Sequence, residues 1–420
     1  MNQVKYNFIY LILLRLISRL VPILAIPFLI QKVGILNFGQ LQFVKSIAMC
    51  FNAIIVYGFN FTIPNYFNSL NIETDKHKIG QLYTSIFSCQ MIFSILCLLC
   101  CYVISNLCNI DTTLMIYFCG VSIVSGIFPT GIFQGLSKLK YLVILNTLIK
   151  ILFYILLYIF ISRDSNIELY PILLFICDLL RFIIALIFIY VKFEIPFVLP
   201  NLSVMIEQIK EGLYGFSSNV YQLFYTQFPS IFLGLFLNKE SVTIYKIGDT
   251  ITQFNKDLLT PFMQSIYPEI QNKLKNNFTH GIIYFKKIMK LSSLFYLIIC
   301  SGLYIFAEPL VMLLCKDNHE VIALGAVKVF KIHAIIPLLI IISNMIGLQF
   351  LTAINKGKIF VNTLTISGII AIILHLFLVP HYNVYGSVYA ILLGEMLTTI
   401  VMIIYYYKNN KTLMNKKRCI

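Results

Sequence analysis

Eleven ionisable side chains stand inside apolar stretches of this chain: Arg15, Arg19, Lys45, Lys150, Asp178, Arg181, Asp249, Lys256, Asp257, Lys331 and Glu395. Cations of this kind hold anionic groups such as phosphates, and carboxylates exchange a proton or hold a cation. Opposite charges also neutralise one another. Spacing narrows the choice. Arg15 and Arg19 are four apart, on one face of one helical turn. Lys246, Asp249, Gln253, Lys256 and Asp257 fall at offsets 0, 3, 7, 10 and 11, a single stripe of a 3.6-residue helix, with Ile247, Ile251, Phe254 and Leu258 on the rest of its surface. Asp178 and Arg181, three apart, can pair with each other as readily as they can serve a ligand. Glu395 has no partner nearby in sequence. Asn219 and Gln222, with Ser218 and Gln227, are uncharged groups suited to hydroxyls.

The elements that must position these groups are membrane spans. The 420 residues are 59% hydrophobic and 12% charged, with a mean hydropathy of +0.86, against roughly 25% charged in soluble domains. At about 20 apolar residues per span, helices are expected near 7–30, 43–63, 80–106, 113–136, 142–162 and 170–191. A second set is expected near 213–237, 244–266, 288–306, 323–351, 361–379 and 385–407. The fold class is therefore an all-α polytopic membrane protein of about twelve transmembrane helices. Apolar segments recur with only short breaks, which excludes a soluble catalytic domain between them.

The span at 244–266 is the most polar, and two observations retain it. With the amino terminus inside, nineteen Lys and Arg residues fall on inner segments and five on outer ones, Lys32, Arg163, Lys239, Lys246 and Lys316, as the positive-inside rule demands. Removing that span sends the later basic loops to the wrong side. The halves also share a layout, FLIQKVGILNFGQLQFVKSI (28–47) aligning with FLGLFLNKESVTIYKIGDTI (232–251). The expected organisation is a six-helix lobe at 1–195, a cytoplasmic linker at 196–212, a second six-helix lobe at 213–407 and a basic tail at 408–420, both termini cytoplasmic. Two such lobes in parallel repeat are the architecture of a transporter that rocks around a central site.

Eleven deep charges facing lipid would cost on the order of 30 kcal/mol at about 3 each, more than a domain's net stability. They are expected to face each other or water. Lys45 and Lys150 lie near enough to helix ends to snorkel. Counting seven basic against four acidic groups, the lining is net positive and suits anionic cargo. The net charge of +15 is spread over loops as topology requires and implies no nucleic acid. The eleven cysteines fall in apolar helical runs, where Cys serves as a small hydrophobe. No metal-spaced cluster and no Gly-rich phosphate loop is present. The first apolar run holds two arginines and lacks a small-residue cleavage site, so it reads as a span and not a signal peptide.

The opening NFIYLILLRLISRLVPILAIPFLIQKVGILNFGQLQFVKSI resembles the first two helices of the Wzx-type O-antigen and capsule polysaccharide flippases, members of the multidrug/oligosaccharidyl-lipid/polysaccharide exporter superfamily, which includes the MATE transporters. The G-x-x-x-F-G-x-x-x-F linker stands at Gly34, Phe38, Gly39 and Phe43. YGFNFTIPNYF (57–67) and GIFPTGIFQGLSKLKYL (126–142) are similar to the family's ends of helices two and four. LTPFMQSIYPEIQ (259–271), LQFLTAINKGKIF (348–360) and YGSVYAILLGEMLTTIVM (385–402) match more loosely. The chain departs from the family at Thr130 to Ile132, where aromatic residues often precede FQG, and in lacking Trp.

The resemblance implies a non-enzymatic flippase that carries undecaprenyl-pyrophosphate-linked oligosaccharide from the cytoplasmic to the periplasmic leaflet of a bacterial inner membrane. Its partners would be that lipid-linked sugar, membrane lipids, and the polymerase and chain-length machinery of the pathway. No cofactor is expected beyond a coupling ion, H+ or Na+. On this reading Arg15, Arg19, Lys45, Arg181, Lys256 and Lys331 bind the anionic head, with Asn219, Gln222 and Gln253 on sugar. Asp178, Asp249, Asp257 and Glu395 are the ion-coupling candidates. The alternatives are a MATE-like small-molecule exporter and a membrane polymerase or glycosyltransferase of the same pathway. The cationic lining disfavours cationic drugs, and the short outer loops disfavour an enzyme.

Overall fold

The computed structural model describes residues 21–67, 70, 74–162, 166–315 and 325–418. Among them the chain is helical and without strands. Hydrocarbon imposes this, because a helix satisfies its backbone polar groups internally. Eight described helical stretches are long and apolar enough to cross a membrane. Contacts divide the chain into two compact units, Met1–Leu223 and Phe224–Ile420. The division falls inside the expected seventh span.

The first unit comprises α1 (Val21–Val33), α2 (Ile35–Val56), α3 (Phe59–Phe67), α4 (Lys76–Leu107), α5 (Thr112–Gly126), α6 (Thr130–Gly135), α7 (Leu139–Phe160), α8 (Leu169–Ile187) and most of α9 (Leu202–Thr226). A π-turn, Phe188–Lys192, extends α8. Asp111 caps α5 by accepting from the amides of Thr113 and Leu114 at 3.0 and 3.1 Å. Such a cap contributes about 1 kcal/mol. Helix α5 is central, packed on α2, α4 and α8, and the buried rings of Phe38, Phe43, Phe118 and Phe133 fill the unit.

Breaks in the apolar pattern set the path of the chain. Helix α2 stops at Tyr57–Gly58, and α9 crosses this break at contact distance. A Cβ on Gly58 would lie 1.9 Å from the Gly212 carbonyl oxygen, so only two glycines allow the approach. The Tyr57 ring stacks on Phe216 at 4.9 Å. Asn219 Nδ2 donates to the Tyr57 carbonyl at 2.5 Å, satisfying a group the helix end leaves open.

A non-helical strap, residues 193–201, joins α8 to α9 and is tied to α4. Lys76 Nζ lies 2.6 Å from Glu194 Oε2. The Asn201 amide donates to Ser85 Oγ at 2.9 Å. The Lys76 hydrogen bond and charge hold the Glu194 carboxyl below the usual glutamate range.

The second unit holds α10 (Phe228–Phe236), α11 (Lys239–Asn276), α12 (Phe278–Ile305), α13 (Ala307–Cys315), α14 (Ala326–His333), α15 (Ile336–Asn344) and α16 (Gly357–Arg418). A π-segment, Met345–Leu351, prolongs α15. Helix α16 is kinked at Asn383, φ +52°, after Pro380. The polar span expected at 244–266 lies wholly inside α11. Asn238 caps α11 through the Ser241 amide at 2.9 Å, and Asn277 caps α12 through the His280 amide at 3.2 Å. Helix α11 packs on α10, α12 and α14, and α16 on α10 and α15. At one end, the rings of Phe285, Phe350 and Tyr406 close a triangle with centroids 4.9–5.7 Å apart.

Candidate functional site

Seven of the eleven charged residues expected within the membrane fall into one group in each unit. In the first, α8 presents Asp178 and Arg181 from adjacent turns. Arg181 Nη2 stands 3.3 Å from Asp178 Oδ1, and both side chains are largely buried. The guanidinium carbon lies 4.6 Å from the Phe128 ring centre. Phe128 sits in the break between α5 and α6, which Gly126 and Pro129 impose. Gln90 holds that break in place, donating to the Gly126 carbonyl at 3.0 Å.

Lys45 from α2 and Lys150 from α7 lie within electrostatic reach of the Asp178 carboxylate. Three cations therefore share one carboxylate. Arg181 Nε is buried without a hydrogen-bond partner, and so is Asn146 Oδ1, one turn before Lys150 on α7. The unspent guanidinium donor, in a cationic surround, has the electrostatics of an anion site.

In the second unit Asp249 is buried, 5% exposed. Its own helix fills both carboxylate oxygens: Lys246 Nζ at 3.1 Å from Oδ2 and Gln253 Nε2 at 3.2 Å from Oδ1. This is the i−3 and i+4 geometry expected of the stripe. His333, at the end of α14, packs its ring edge-on to Tyr245 at 5.3 Å, and its Nδ1 lies 3.0 Å from Thr252 Oγ1. Its Nε2 is buried and without a partner. Lys256 stands within electrostatic reach of Asp249, His333 and Glu395. Glu395, on α16, is 8% exposed, and Tyr225 faces it. One ammonium thus lies within electrostatic reach of two buried carboxylates on different helices.

The remaining expected residues fall elsewhere. Arg15 and Arg19 lie outside the described residues, and so does the side chain of Asp257. Lys331 is placed over the Tyr304 ring at 5.5 Å, a cation–π contact with α12. Asn219 is spent on the Tyr57 carbonyl, and Gln222 is exposed. Sequence reasoning missed Phe128, Asn146 and Tyr225. The pair Gly248–Asp249 in KIGD was the available signal for His333, because a glycine one residue before a buried carboxylate marks a close approach. His375 is a packing histidine: Nδ1 lies 2.6 Å from the Ala371 carbonyl and Nε2 3.1 Å from Ser387 Oγ. The ten described cysteines are free thiols, most of them buried.

Apolar spans with ionisable groups held among them define a multi-pass membrane protein. The structure superposes on the lipid II flippase MurJ in its inward closed conformation with a TM-score of 0.76, at 13% identity over 96% of this chain and 87% of that one. An inward-facing MATE multidrug resistance transporter of the MOP superfamily gives 0.69 at 15% identity, over 95% and 99%. The chain belongs to the polysaccharide biosynthesis protein family, which it matches over residues 4–272. A curated relative from Escherichia coli strain K12, titled "Putative O-antigen transporter", is 26% identical over 94% of this chain and 95% of its own length.

Proposed function

We propose that this protein flips an undecaprenyl-pyrophosphate-linked oligosaccharide, an O-antigen or capsule repeat unit, across a bacterial inner membrane. Sugar hydroxyls and a diphosphate cannot cross about 30 Å of hydrocarbon unaided, whereas the polyprenyl tail never leaves it. The observation that carries this reading is the cluster of Lys45, Lys150 and Arg181 around Asp178, with Arg181 Nε buried and without a hydrogen-bond partner. It offers a diphosphate a cationic surround and an open guanidinium donor. Family membership and the transporter title of the relative support the same substrate class.

Movement follows alternating access of two six-helix lobes, 1–195 and 213–407, with both termini cytoplasmic. Asp249 and Glu395 couple transport to a proton or sodium ion, with Lys256 shared between them. When the ion takes one carboxylate, Lys256 is released toward the other. Arg15 and Arg19 add to the head-group site.

Deleting the gene and profiling lipid-linked intermediates tests the reading. Complete repeat units accumulating on the inner leaflet agree with flipping. Single units accumulating on the outer leaflet would instead assign a polymerase step and overturn it.

A further inference from the structure

Helix α12 has two faces. Phe278, Gly281, Ile282, Phe285, Ser292, Tyr296 and Cys300 are buried at helical spacing. Ile283, Leu291, Leu294, Phe295 and Ile298 are 52–65% exposed on the opposite side, and this is the least buried of the membrane-competent helices. Such a surface faces lipid. Lys286, Lys287 and Lys290 are exposed on this same side, since 283, 287, 290, 294 and 298 follow one helical stripe. Their ammoniums stand where the apolar stripe begins and point away from the interior of the unit.

The same end of the unit gathers more lysines. Lys273 and Lys275 end α11, which turns directly into α12. Lys356 hydrogen-bonds Asn409, tying the start of α16 to its far portion, and Lys358 is exposed beside it. The triangle of Phe285, Phe350 and Tyr406 packs these segments together. Glu269, the acid at this end, is already taken, 2.7 Å from Lys273 and hydrogen-bonded to Tyr284. Among the described residues no carboxylate pairs with Lys275, Lys286, Lys287 or Lys290. In the first unit Lys76 and Lys78 are paired with Glu194 and Asp75, while Lys138 and Lys140, at the start of α7, make no ion pair among the described residues. Topology asks for positive charge inside but not for charge left unpaired on a lipid-facing stripe.

We infer that Lys286, Lys287 and Lys290 form a binding surface for the phosphodiester headgroups of anionic phospholipids. The acyl chains lie along Leu291, Leu294 and Ile298. A basic cluster at the boundary of an exposed apolar stripe matches an anionic lipid on both counts, charge at the head and hydrocarbon below. The cytoplasmic leaflet follows from the orientation proposed above; the lipid site itself does not depend on the transported cargo.

The chain contains no Trp, so Leu294→Trp on this face supplies a single indole reporter. L294W protein is reconstituted into phosphatidylethanolamine bilayers containing a minor fraction of brominated phosphatidylglycerol, or the same fraction of brominated phosphatidylethanolamine. Stronger quenching by the anionic lipid is expected, and K286Q/K287Q/K290Q should lose roughly tenfold or more of that preference. Quenching by the zwitterionic lipid reports that the variant is inserted, and the triple arginine variant should keep the preference. Equal quenching by the two lipids, or a preference indifferent to the glutamines, overturns the inference. Relief of quenching by equimolar farnesyl diphosphate also overturns it, by assigning the lysines to a diphosphate-bearing lipid.

Discussion

Gly248 lies directly against the imidazole of His333: a Cβ there would stand 2.6 Å from Cδ2. The glycine lets α11 and α14 close on each other with the ring between them, edge-on to Tyr245 and bonded to Thr252. Gly248→Ala must push the ring off both partners, one residue from the buried Asp249. The expected loss is about 1–3 kcal/mol, the range for overpacking a filled site. Thermal unfolding of the purified protein measures it; an unchanged midpoint would mean that the ring moves aside freely.

Arg181 and Asp178 are not equivalent members of their pair. Removing the guanidinium leaves Asp178 with Lys45 and Lys150 nearby, whereas removing the carboxylate leaves three cations together. Arg181→Gln should therefore weaken diphosphate binding by about 10- to 100-fold, the worth of one charged hydrogen bond, with modest loss of stability. Asp178→Asn should cost more stability. Binding of a short polyprenyl diphosphate to purified variants, alongside their unfolding midpoints, separates the two effects. Equal losses in both columns would reduce the group to a structural ion pair.

The strap at 193–201 has a pH dependence whose sign is fixed. The folded Glu194 carboxyl titrates below its ordinary value because of Lys76. Its contribution is present above the ordinary glutamate pKa of about 4.3 and is lost as pH falls through the lower folded value. Amide exchange in 193–201 should thus be flat from neutral pH down to about 5, after correction for intrinsic rates, and accelerate in stronger acid. Lys76→Gln should remove the acid step.

Much of the fold is legible in the sequence because apolar run length and hydrocarbon thickness are linked by helix geometry. The polar helix at 244–266 was also legible, since Lys246, Asp249 and Gln253 keep one face in sequence and in space. What sequence cannot give is the partner across helices. Nothing in QFNKDL says that Lys256 lies within electrostatic reach of Glu395, some 140 residues on, nor anything around Phe128 that it lies under Arg181. Asn219 illustrates the converse. An amide on a polar helix face reads as a ligand group, yet a backbone carbonyl freed by the Tyr57–Gly58 break claims it. Such breaks create local demand for hydrogen bonds that pattern reading does not see.

Lys256 is the hinge of the charge arithmetic in the second unit, and a double-mutant cycle can measure this. Its ammonium stands within reach of Asp249 and Glu395, but Asp249 has Lys246 and Gln253 besides. Glu395 depends on Lys256 more heavily. Lys256→Gln should cost about 1–3 kcal/mol, mostly from leaving the Glu395 charge without its counterion. Glu395→Gln in that background should then recover part of the loss, because the neutral amide needs no counterion. The coupling term, obtained from unfolding of the two single variants and the double, should be of order 1 kcal/mol. The parallel cycle with Asp249→Asn should give a smaller term, since Lys246 remains to hold that site. Additive losses in the Glu395 cycle would show that the two charges do not communicate, and would remove Lys256 as the link between the two carboxylates.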